Sequence, residues 1–181
     1  MPRHLAFLRA VNLGAVRKVP MAELRERLTD AGFDDVETHI QTGNIALTST
    51  MRSGAKVEAA IEQLLEGWRG FDVPTVVRSP RELRDLAQQV EATPALLTAD
   101  ARRYVAFTKT EPSAAARDAL TAYDASPERA FVVGRDILLE YDTGFQNAKL
   151  AGARLEKLAG SAVTTRDINV VRTLDERWST T

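Results

Sequence analysis

The chain has 181 residues, 44% of them hydrophobic and 27% charged, enough for one ordinary globular domain or two small ones. Twenty-four Lys and Arg against 25 Asp and Glu leave a net charge of -1, which excludes a global positive field drawing nucleic acid or an anionic membrane to the whole surface. The absence of cysteine excludes disulfides, thiolate metal sites and a cysteine nucleophile.

The opening MPRHLAFLRAVNLG is too polar for a secretory signal, and no apolar run is long enough to span a bilayer, so a cytoplasmic protein with no membrane partner is expected. Within it, His4 to Val11 reads as a buried strand that leaves into a loop at Asn12, Leu13 and Gly14. Pro20 suits a first helical turn, and Met21, Leu24, Leu28 and Ala31 recur at helical spacing before Gly32. Val36 to Gln41 and Ile45 to Ser49 then read as a hairpin. Gly43 followed by Asn44 matches a type II′ turn that sets Ile40 opposite Leu47. Asp34, Asp35 and Glu37 ahead of it read as a solvated acidic turn.

Val57, Ala60, Ile61, Leu64, Leu65 and Trp68 form an apolar helical stripe, and PTVVRS after it is a strand. Ser79 and Glu82 form a capping box for a helix with Leu83, Leu86, Ala87 and Val90 inward, and EATPALLTAD reads as a linker. The pattern then recurs: RYVAFTK as strand, PSAAARDALTAY as helix, RAFVVG and DILLEY as a hairpin about Gly134 and Arg135. NAKLAGARLEKLAG follows as helix, AVTTR as strand, and a last helix is capped by Asp167. Twice over the order is βαββαβ. The fold class expected is α+β: two ferredoxin-like plaits in tandem plus a C-terminal helix. Residues 1–79 would be the first, 80–100 a connecting helix and linker, and 101–181 the second.

In such a plait the loop after the first strand and the hairpin turn emerge at one edge, gathering Arg9, Asn12, Gly14, Arg17, Lys18, Gln41, Thr42, Gly43 and Asn44. Guanidinium, ammonium and amide donors there suit a phosphate or carboxylate, so a small anionic ligand or nucleotide is the partner expected. The same residues have a plainer reading. Gly and Asn are favoured turn formers for backbone reasons, and a loop Arg or Lys is usually solvated. General acid-base chemistry would need His39 or Asp72 brought near. Phe7 and Arg9 could form a base-stacking platform on the open sheet face, which is the weaker argument for nucleic acid. In the second half Lys149 lies near a helix start, where its charge would serve an anion or reach solvent, Arg166 precedes the capping Asp167, and Asn169 lies in the first turn of the last helix. No phosphate-binding, dinucleotide, nucleophile-elbow or zinc motif is present, so neither a cofactor nor a protein-only metal site is expected.

AFLRAVNLG, VPMAELRERLTDAGFDDVETHIQTGNIAL and LEKLAGSAVTTRDINVV together resemble a bacterial family catalogued as domain of unknown function 1697. The resemblance implies two plait-like subdomains and carries no agreed activity, substrate or cofactor. Its pattern falls on Arg9, Asn12, Gly14, Gln41, Gly43 and Asn44, and later on Lys149, Arg166 and Asn169. Two departures stand out. Ala148 occupies the place of a usual serine, and Ile168 that of a usual tryptophan. The expectation is a binding protein for an anionic ligand, a nucleotide or short single strand, at the first edge. An enzyme on a small phosphorylated or carboxylated metabolite and a protein-interaction module are the alternatives.

Overall fold

The computed structural model describes residues 1–95, 97–98, 101–125 and 127–179. The chain divides into two compact units, Met1–Leu83 with the end of the chain from Arg177, and Arg84–Glu176.

The first unit contains β1 (Arg3–Leu8), α1 (Met21–Asp30), β2 (Asp34–His39), β3 (Asn44–Thr48), α2 (Gly54–Arg69) and β4 (Thr75–Arg78). Its strands lie in the order β2-β3-β1-β4, and every neighbouring pair is antiparallel. Two antiparallel steps through β3 make β1 and β2 parallel to each other. The loop leaving β1 and the β2–β3 turn therefore lie at the same end of the sheet.

Helical spacing does what it predicts. Met21, Leu24 and Leu28 of α1 and Val57, Ile61 and Leu65 of α2 form one apolar core with Ala6, Leu8, Ile45, Leu47 and Val77 of the sheet. Alternation along the strands puts Leu5, Phe7, Ala46 and Val76 on the reverse face, and these are buried as well. With both faces covered, the inner part of β1 has no polar side, which is why Leu5–Leu8 is a continuous apolar run. Phe7 is completely buried, so the base-stacking platform expected on that face does not exist. The outer edge of β4 is closed by α2: Glu58 accepts from the Val77 N–H at 2.8 Å and Glu62 from the Thr75 N–H at 2.7 Å. Side chains four residues apart on one helix face thereby satisfy backbone donors that an edge strand would otherwise present.

The hairpin departs from its expected form. His39 pairs with Asn44, so the connection is the four residues Ile40–Gly43. Gly43 belongs to the neighbouring strand's pairing, its carbonyl accepting the Leu8 N–H at 2.8 Å, and cannot serve as the first corner of a two-residue turn. The register moves accordingly. Thr38, not Ile40, shares a face with Ile45, and Ile40 stands in the turn, 46% exposed. The acidic residues lie in β2 itself. Glu37 accepts from Arg3 at 2.6 Å and from the Trp178 indole N–H at 3.2 Å.

Beyond β4 follow α3 (Pro80–Ala92), β5 (Arg102–Thr108), α4 (Ala114–Thr121), β6 (Asp124–Ala125), β7 (Glu128–Val133), β8 (Asp136–Tyr141), α5 (Gly152–Ala159), β9 (Val163–Asp167) and α6 (Ile168–Trp178). The capping box opens α3 as predicted, with Glu82 accepting the Ser79 N–H at 2.7 Å and Ser79 the Glu82 N–H at 3.2 Å. Asp167 caps α6 through the Asn169 N–H at 2.8 Å. The linker expected over residues 91–100 falls partly on Leu96, Ala99 and Asp100, which lie outside the described residues.

The second sheet has the order β6-β7-β8-β5-β9, one strand more than expected, because Asp124–Ala125 add a short rung to β7. The β7–β8 hairpin turns on Gly134 and Arg135 as read. The helix expected from Asn147 starts later. A single 3-10 turn, Phe145–Asn147, is followed by a non-helical bend, and α5 opens at Gly152. Glu128 causes the delay. Its carboxylate, buried to 2% exposure, accepts the Lys149 and Leu150 N–H groups, the latter at 2.7 Å, and holds that segment out of the helix. Among the described residues no helix is long and apolar enough to cross a membrane.

Candidate functional site

The loop between β1 and α1 and the β2–β3 turn meet as the strand directions require, and Asn12 ties them together. Its side-chain N–H groups donate to the Val19 carbonyl at 2.9 Å and the Gln41 carbonyl at 2.8 Å, while its Oδ1 accepts the Val19 N–H at 2.8 Å. Asn44 does the same inside the turn, donating to the His39 carbonyl and to the Thr42 hydroxyl, each at 3.1 Å, and it is fully buried. Arg17 donates through Nε to the Ala10 carbonyl at 3.1 Å and through Nη2 to the Asp72 carbonyl, and its guanidinium lies 4.7 Å from the centre of the Phe71 ring. These three side chains hold backbone. Gly43 is buried against Leu8, and Gly14 shapes the open loop with a φ of 64°.

The predicted donors thus converge, and most of them converge on the protein. Lys18 and Gln41 remain exposed; Arg9 is half-buried, with its backbone N–H on the Pro74 carbonyl at 2.9 Å. His39 is half-buried and Asp72 exposed.

Sequence reasoning missed the strain and the apolar surface of this tip. Among the described residues, five non-glycine residues have positive φ, and Ala10, Asn12, Arg17 and Ile40 are four of them. A β-branched residue at a φ of 51° is a true outlier, because its branched side chain crowds the backbone there. Of the five exposed large hydrophobic side chains among the described residues, Leu13, Val16 and Ile40 stand on this tip, the first two more than 60% exposed. The sequence signal was available: Leu13 and Val16 break a polar loop. Left-handed backbone at Ile40 was not legible, since it depends on Gly43 packing against β1.

The second-half residues each have their own surroundings. Lys149 is exposed, and its N–H serves Glu128. Arg166 is buried on β9, its Nη1 donating to the Thr164 hydroxyl at 2.8 Å and the Thr165 carbonyl at 2.9 Å. Burial lowers its pKa to about 10. Asn169 is exposed on α6 and accepts from Arg172 at 3.1 Å.

A separate cleft of about 590 Å³ lies in the second unit, lined by Arg102, Tyr104, Asp142, Thr143, Gly144, Phe145, Gln146 and Asn147. Tyr104, Tyr141 and Phe145 form an aromatic cluster with ring centres 5.2 to 6.2 Å apart. Of the three, Phe145 is the exposed member, at 41%.

A family model described as "Protein of unknown function (DUF1697)" matches residues 1–138. Lys149, Arg166 and Asn169 lie beyond that span. Among solved structures, the conserved bacterial protein SP0830 from Streptococcus pneumoniae is similar, with a TM-score of 0.73 at 22% identity over 97% of each chain. That degree of identity speaks for the fold alone. No curated protein matches the chain.

Proposed function

The chain belongs to the DUF1697 family of proteins of unknown function, and from that premise we propose that it acts by binding, with the tip of the first unit as the contact surface for a partner protein. The observation that carries this reading is Ile40. An apolar β-branched side chain held at positive φ and half exposed costs stability at the backbone and leaves apolar surface open to a partner. Asn12, Asn44 and Arg17 brace the tip from behind, so it is presented preformed, which lowers the entropic cost of association. Lys18 and Gln41 flank the apolar residues, so the complementary surface is an apolar side chain ringed by carboxylates. A small anion at the same tip would have to rely on Lys18 and Gln41, because Asn12, Asn44 and Arg17 hold the protein's own groups.

Each unit reads as a ferredoxin-like plait on this proposal, supported by the βαββαβ order and the 2-3-1-4 strand order of the first sheet. A bacterial cytoplasm is the proposed setting.

The test separates stability from contact. Ile40→Asn is expected to raise the unfolding free energy by about 1 kcal/mol, since asparagine tolerates this backbone. A photoreactive side chain placed at Val16 in the producing cells is expected to give a discrete protein adduct that the Ile40→Asn change removes. An adduct that survives the change, or none at all, would overturn the reading.

A further inference from the structure

The cleft of the second unit owes nothing to the tip, and its lining has the parts of a nucleotide site. We propose that it binds a nucleoside monophosphate unit, free or at the end of a single strand. Phe145 offers an exposed ring while its other contacts, with Tyr104 at 5.2 Å and Tyr141 at 6.2 Å, hold it in place. Stacking on such a ring is tolerant of base identity. Gln146 and Asn147 belong to the same 3-10 turn as Phe145. Asn147 already donates to the Thr143 carbonyl at 3.2 Å, which orients its amide and leaves its oxygen to accept from a base edge. Asp142 has one carboxylate oxygen on the Thr98 hydroxyl at 2.8 Å. Its second oxygen suits ribose hydroxyls, the role acidic groups take in dinucleotide sites. Arg102 lines the same cleft, and its exposed guanidinium has no hydrogen-bond or ion-pair partner among the described residues, so its fork of donors is available to a phosphate. The volume of about 590 Å³ lies within the range of small-molecule sites.

Sequence alone pointed away from this place. The sequence reads as a helix from Asn147, but Glu128 accepts the Lys149 and Leu150 N–H groups there. The 3-10 turn Phe145–Asn147 ahead of that contact lines the cleft.

The experiment titrates the whole chain with AMP, dAMP, adenosine, ribose 5-phosphate and an oligo(A) pentamer, following backbone amide resonances. AMP is expected to shift residues 102, 104 and 143–147 saturably. Phe145→Ala should weaken AMP by at least about fivefold, Arg102→Gln should weaken AMP but not adenosine, and dAMP should bind less tightly than AMP. Both variants replace exposed side chains, and melting checks that they fold. Affinity that rises with strand length and falls steeply with salt assigns the site to single strands; affinity equal for AMP and the pentamer assigns it to free nucleotide. Ribose 5-phosphate binding as well as AMP, unchanged affinity in Phe145→Ala, or no saturable shift with AMP would each overturn the proposal.

Discussion

Gly43 shows how a single residue can look functional for purely steric reasons. A Cβ there would stand 2.6 Å from the Leu8 Cβ and 2.9 Å from the Val11 Cγ2, at a φ of 78°. Both the backbone conformation and the close approach demand glycine. Gly43→Ala is expected to lower stability by about 2–4 kcal/mol, read as an earlier urea midpoint with an unchanged slope. A midpoint within error of the parent would show that the strand and turn do not pack as described. Asn44 follows the same logic from inside the turn, since a fully buried amide that bonds a carbonyl and a hydroxyl holds structure. Ile40 inverts it, being the one turn residue whose local chemistry argues against its position.

At the level of elements, carboxylates placed on backbone donors decide where several segments begin and end. Glu58 and Glu62 close the β4 edge, Glu156 accepts the Val163 N–H of β9 at 3.0 Å, and Glu128 delays α5. Glu128 also accepts the Tyr123 hydroxyl at 3.2 Å. Burial first, and then the charge and hydrogen bond of Glu128, raise the Tyr123 phenol above its ordinary pKa. Glu128→Ala should cost about 2–4 kcal/mol, since two N–H groups and a hydroxyl lose their acceptor at once. Glu128→Gln removes the charge, so an ultraviolet titration should show the Tyr123 ionisation moving down toward its ordinary value. A Tyr123 titration that does not move would break the link between them.

At the scale of the whole molecule, the end of the chain belongs to its first unit. Trp178, 1% exposed, donates to Glu37 on β2, and Arg177 lies 3.9 Å from the same carboxylate. Burial pushes the Glu37 pKa up, but the hydrogen bonds from Arg3 and Trp178 and the charges of Arg3 and Arg177 outweigh it and hold the carboxyl below its usual value. A carboxylate with a lowered folded pKa favours the folded state above its unfolded value, and that contribution is lost as pH falls through the folded value. The melting temperatures of the parent and Glu37→Gln should therefore differ at pH 7. The gap should narrow below about pH 4, where the unfolded carboxyl also protonates. A gap that stays constant or widens in acid would remove Glu37 from the account.

Much of this protein was legible in order. Met21, Leu24 and Leu28, the stripe from Val57 to Trp68, the Ser79–Glu82 box and the Asp167 cap are local patterns, set by side chains three or four residues apart. The alternation of those elements already implied that the β1 loop and the β2–β3 turn would meet. The rest depended on contacts between residues far apart in sequence. Gly43 meets β1 some 35 residues away by register, Glu128 reaches Lys149 and Leu150, and Trp178 reaches Glu37. No local window contains both partners of such a pair. Residue type therefore determined the elements by itself, and only the tertiary structure decided which polar groups face inward to hold backbone and which, with Ile40, Phe145 and Arg102, are left facing out.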